Sequence, residues 1–141
     1  ICLGFMPPEK AAEVLVGADA HLVVMSFEKE HELFMRTSFT TKFLDYTAFG
    51  KPVILWGPDY CTPSRLAKRE DAALVVETES PEGVVEAAKK LASHPEEVAR
   101  LSAASRRLNQ TVFSPDRLQG IFVEQIEKLG RQSCRERRTD S

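Results

Sequence analysis

Thr40, Thr41, Lys42 and Asp45 stand close together and carry two complementary chemistries. A helix that starts at Thr41, with Thr40 or Thr41 as its N-cap, opens on unpaired backbone N–H groups and a partial positive charge. Such a start receives anions, a diphosphate among them. Lys42 adds a full positive charge there. Asp45 follows one turn on, along the face that Thr41 begins, and a carboxylate can accept two hydrogen bonds from a ribose diol. One helix would then hold both ends of a nucleotide diphosphate. Taken alone, this pattern more often marks a capped and solvated helix end, so the surrounding sequence has to decide.

Other chemistries fail on spacing. No GxGxxG follows a strand, and Phe49-Gly50-Lys51 lacks the upstream glycine of a phosphate-binding loop. His31-Glu32 begins like a zinc-protease helix, but Met35 stands where the second histidine belongs. There is no GxSxG elbow and no DxD metal motif, and no metal ligands are assigned. His21, His31 and His94 fall on three different elements and read as ordinary surface or strand-end histidines. Cys2, Cys61 and Cys134 form no CxxC pair, which suggests neither a zinc site nor a disulfide framework and fits a reducing compartment.

The elements that must position the cluster alternate along the chain. Ile1–Phe5, Ala20–Ser26, Pro52–Trp56 and Ala73–Glu77 are short apolar runs suited to buried parallel strands. Helical spacing is expected over Glu9–Gly17, Thr41–Phe49, Thr62–Glu70 and Pro81–Ala92, with Gly50 beyond the end of the second and Ser80 capping the fourth. Two further helices, Pro95–Asn109 and Ser114–Leu129, close the pattern. Phe27–Thr40 has no period and is long for a connection in an α/β unit, which marks it as a place to look for function. Four alternations predict a doubly wound α/β domain, a parallel sheet with helices on both faces. The 141 residues make one domain by size, and 43% hydrophobic with 28% charged residues is a globular balance. A net charge of −2 argues against a dedicated nucleic-acid binder. No apolar run approaches a membrane span. The stretch 130–141 has no apolar period and is expected to be disordered.

The segment SFTTKFLDYTAFGKPVIL, Ser38–Leu55, resembles the donor-site segment of GT-B glycosyltransferases of the group-1 type. Flanking pieces fall in that family's order: GFMPPEKAAEVLVGADAHLVVMS before it, WGPDYCTPSRLAKREDAALVVETESPEGVVEAAKKL after it, then an arginine-rich helix ending near NQTVFSPDRL. The resemblance covers residues 1–129, and it is the joint order of the pieces that carries it. It implies a Rossmann-like donor domain whose first two strands are missing here, a fragment of a two-domain enzyme. It implies that Lys42 acts catalytically on the leaving diphosphate and that Ser38, Thr40, Thr41 and Asp45 bind the nucleotide sugar, with Phe5 and Met6 at the turn bordering the base. The acidic ribose ligand is commonly Glu in the family and is Asp45 here; the family's earlier glutamate is replaced by Thr37, with Glu28, Glu30 and Glu32 as candidate substitutes.

The activity so implied is sugar transfer from a nucleotide-diphosphate sugar, without a metal or other cofactor, to a saccharide or lipid-linked saccharide held by the absent N-terminal domain. Cytoplasmic location, peripheral to the inner membrane face, goes with it. A nucleotide-sugar epimerase of the same fold and a non-catalytic α/β nucleotide-binding module are the alternatives. In the isolated chain only the last three strands can pair in order, which leaves His21–Met25 at an open edge.

Overall fold

The computed structural model describes residues 3–139. The chain divides into two compact units, 1–109 and 110–141. The first is built on three short strands, β1 (His21–Val24), β2 (Val53–Trp56) and β3 (Leu74–Val76). They pair in parallel in the order β1-β2-β3, with Leu22 beside Ile54 and Ile54 beside Leu74. The chain is thus α/β with a small open parallel sheet. These are the three later apolar runs, paired in sequence order. Val53, Ile54 and Leu55 suit the central strand, which is covered on both faces, whereas edge strand β1 alternates, with Leu22 and Val24 exposed.

Registered residues of parallel neighbours project to the same face. On one face Ile54 and Val76 pack with Ala87, Leu91 and Leu101 of α5 (Pro81–Ser93) and α6 (Pro95–Thr111), which run above them. On the other, Val23, Val53 and Leu55 are essentially inaccessible. There His21 stacks on Tyr46 with ring centroids 4.6 Å apart and meets Phe49 edge-on at 5.6 Å. Both rings belong to α3 (Thr41–Ala48) and its cap, so helices lie against both faces. Burying each aliphatic side chain of this kind contributes roughly 1.5–3 kcal/mol.

Ends of elements follow local chemistry. Ser80 accepts the Glu82 N–H at the start of α5, with Pro81 in its first turn. α4 (Thr62–Glu70) ends on Asp71 in the left-handed region, φ 50°, and the Ala72 N–H closes back on the Ala67 carbonyl at 2.9 Å. Gly50, φ 61°, follows the α3 cap as its position past the helix requires. It lies under α6: Arg106 donates to its carbonyl at 3.1 Å, and Ser105 donates to the Lys51 carbonyl at 3.0 Å.

Three sequence expectations are corrected. Leu3–Phe5 is not a strand, and Phe5 is fully exposed; Ile1 and Cys2 lie outside the described residues. An extended apolar run becomes a strand only where a neighbour pairs with it, and among the described residues nothing pairs with this run or with the outer edge of β1. α1 (Pro8–Gly17) beside it buries no residue. The loop Phe27–Thr40 is also not irregular throughout. It holds a 3-10 turn, Lys29–His31, and α2 (Glu32–Thr37), whose Glu32–Arg36 pair at 2.7 Å is an i,i+4 helix contact. In the second unit, α7 (Pro115–Thr139) continues well past Leu129 as helical backbone, since nothing after Leu129 but Gly130 opposes helix.

Two outcomes are expected. A Cβ on Gly57, just after β2, would sit 2.6 Å from the Met25 Cβ, so Gly57→Ala should lower unfolding free energy by about 1–3 kcal/mol in denaturant titration. Glu97, gripped by Arg100 at 2.7 Å and Lys90 at 3.1 Å, is held down to about 2 by these two cations from its ordinary 4.5. Its lowered folded value means a stabilisation fully present above about 4.5 and lost as pH falls toward about 2. Glu97→Gln should flatten that part of an acid titration of stability.

Candidate functional site

Parallel strands impose a direction on the connections between them. The chain leaves the carboxyl end of β1, runs through α2, and returns along α3 to the amino end of β2. The start of α3 therefore lies toward the carboxyl end of the sheet, where open α/β folds hold their ligands. Thr40 is its N-cap, in extended conformation, and makes no side-chain cap; the first turn has no acidic residue. The amides of Thr41 and Lys42 have no partner among the described residues, and the Phe43 amide reaches the Thr40 carbonyl at 3.3 Å. This helix start is electropositive and uncommitted.

Lys42 and Asp45 are both exposed, as is Thr41, while Ser38 and Thr40 are half-buried. Neither Lys42 nor Asp45 forms an ion pair or hydrogen bond among the described residues, unlike Glu32, Arg36 and Arg100. Ser38, Thr40, Thr41, Lys42 and Asp45 thus fall on one short segment, the end of a linker and the first turns of α3. Phe5 and Met6 precede α1, and no hydrogen bond, ion pair or ring contact among the described residues joins them to α3. Of the glutamates in the loop, Glu28 pairs with His31 at 2.9 Å and Glu32 with Arg36.

Other groups at the same end of the sheet carry signals that local patterns did not give. Arg36 lies with its guanidinium 4.6 Å from the Tyr60 ring centroid. Its carbonyl accepts from Thr62 Oγ1 at 2.8 Å and from Arg65 Nη2 at 3.3 Å. Trp56 Nε1 donates to the Thr78 carbonyl at 2.7 Å, and its ring lies 6.0 Å from Phe27. Only the aromatic and charged residues of WGPDY and the Glu32/Arg36 spacing hinted at this cluster.

Two buried polar groups are unsatisfied among the described residues, Ser64 Oγ and His21 Nδ1. His21 is not a surface histidine: its Nε2 meets the Leu15 carbonyl at 3.0 Å, and since a carbonyl only accepts, Nε2 carries the proton. No cluster of three or more potential metal ligands occurs among the described residues.

A cavity of about 820 Å³ opens at the opposite, amino end of the sheet. Ile54, Leu91 and Val98 line it, with Lys51, Asp19 and Arg106 at its polar wall. Ser102 also belongs to that wall, and Arg106 donates from it to the Gly50 carbonyl; the start of α3 differs in offering unpaired backbone amides. No helix among the described residues is long and apolar enough to cross a membrane. No protein-family model, curated protein or solved structure matches the chain.

Cys61, at the N-cap of α4, is wholly buried, and burial pushes its thiol above the ordinary range, with Asp59 adding to the effect. A thiolate is the reactive species, so Cys61 is no nucleophile in the folded chain. Peptide-resolved alkylation with iodoacetamide at pH 7 should leave Cys61 unmodified until denaturant is added.

Proposed function

We propose that the chain is the donor-binding part of a GT-B glycosyltransferase of the group-1 type, which moves a sugar from a nucleotide-diphosphate sugar to an acceptor. The observation that carries this reading is the uncommitted start of α3: free amides at Thr41 and Lys42, no acidic residue in the first turn, and Lys42 and Asp45 exposed without partners. A diphosphate on those amides would be held by the helix end and by Lys42, whose attraction strengthens as negative charge builds on the leaving group. Asp45, one turn away, is spaced to take the ribose hydroxyls. Ser38 and Thr40 add hydroxyls at the linker, and Phe5 and Met6 are assigned to the base.

In this reading the sheet is the far half of a Rossmann-like, doubly wound domain. β1-β2-β3 stand for the last three strands of the order 3-2-1-4-5-6, and the first two strands would belong beside the open edge of β1. The acceptor, a saccharide or lipid-linked saccharide, belongs to a separate N-terminal domain, and the enzyme works in the cytoplasm at the inner membrane face. The stretch described here would then transfer no sugar by itself and would bind nucleotide weakly.

Calorimetry with UDP, GDP and ADP separately tests the assignment. Lys42→Ala and Asp45→Ala should each weaken binding about tenfold or more, as loss of a charge-assisted hydrogen bond predicts. Lys51→Ala should leave it unchanged, because Lys51 lies at the amino end of β2. Affinities of Lys42→Ala and Lys51→Ala that are equal, or no binding of any of the three nucleotides by the parent chain, would count against the reading.

A further inference from the structure

We infer that Thr62 is a positioning residue for the start of α3, acting through the carbonyl of Arg36. The inference rests on the donor-site reading for its functional meaning, and on geometry for its mechanism. Thr62 is the first residue of α4, just past the Cys61 N-cap, so its hydroxyl is not needed to cap its own helix. Thr62 Oγ1 donates across 26 residues to the Arg36 carbonyl at 2.8 Å. Arg65, one residue beyond Ser64 on the same helix, donates to that carbonyl at 3.3 Å.

The carbonyl so held is one that α2 cannot satisfy. Arg36 stands in the last turn of a six-residue helix, where carbonyls lack intrahelical donors. A helix that short has no stability of its own, so its placement depends on what grips it from outside. Four contacts converge on Arg36: from outside α2, the two donors from α4 and the Tyr60 ring under its guanidinium, and from within it Glu32 at 2.7 Å. Only Thr37–Thr40 then separate this anchor from Thr41, where the free amides begin. The tether fixes where α2 ends, and with so short a linker it fixes where α3 starts. Thr62 never touches the ligand in this scheme; it holds the backbone that does.

The experiment pairs amide hydrogen exchange with nucleotide binding in the parent chain, Thr62→Val and Thr62→Ser. Valine keeps the branched shape and loses the donor, while serine keeps the donor. The Ser38 amide, bonded to the Phe34 carbonyl at 2.8 Å, reports on the end of α2. In Thr62→Val it should exchange about fivefold faster, the value of one neutral hydrogen bond, with the amides of β1–β3 unchanged, and UDP or GDP affinity should fall by a similar factor. Thr62→Ser should restore both. Unchanged Ser38 exchange in Thr62→Val, equal acceleration of Ser38 and the strand amides, or faster exchange with unaltered affinity each overturns the inference. Exchange needs no nucleotide. A parent chain that binds none therefore sinks the donor reading, while the exchange comparison still decides whether Thr62 fixes the start of α3.

Discussion

The parallel pairing of β2 with a neighbour on each edge is the constraint from which the rest follows. Two parallel neighbours can be joined only by a chain that travels the length of the sheet and back, so each crossover must be a helix or something as long. α3 and α4 are those crossovers, and both therefore begin at the carboxyl ends of strands. Val53 and Leu55, wholly buried, supply the apolar centre of one face, and Ile54 between them that of the other. The direction of the strands decides, before any side chain is considered, at which end the helix starts gather.

The two ends of the sheet are finished differently. At the amino end, Ser105 and Arg106 of α6 reach down to the Gly50–Lys51 backbone beside a cavity of apolar floor with Asp19, Lys51 and Arg106 at its wall. At the carboxyl end, long connections meet through side-chain to backbone bonds, Thr62 to Arg36 and Trp56 to Thr78. One end holds an open cavity under α6, and the other is arranged by polar tethers, with the Thr41 and Lys42 amides unpaired among the described residues.

Local chemistry was legible in the sequence, and long-range chemistry was not. The α4 boundaries, the Ser80 cap, the glycine after α3 and the three apolar strands follow from spacing and residue type within a few positions, which a linear reading can weigh. The run Ile1–Phe5 had the composition of a strand, but strand formation is a property of pairs, and the described part, Leu3–Phe5, lacks a partner. α2 is too short to leave a period, and its anchoring depends on residues 26 and 29 positions away. His21 does open a strand, as its position suggests, but nothing local announces that it is buried, with Tyr46 and Phe49 closing over it. The candidate site itself was legible because it is contiguous: Ser38, Thr40, Thr41, Lys42 and Asp45 are neighbours in sequence before they are neighbours in space.

Gly57 shows how unevenly this chain can change over time. Its backbone passes so near Met25 that even a methyl group collides, and its N–H is committed to the Val76 carbonyl at 3.0 Å. Of the residues that follow before α4, only Asp59 is exposed and open to substitution, while Pro58 and Cys61 are buried. Lineages descended from this sequence would thus be free to change Asp59 while inheriting fixed points on either side of it.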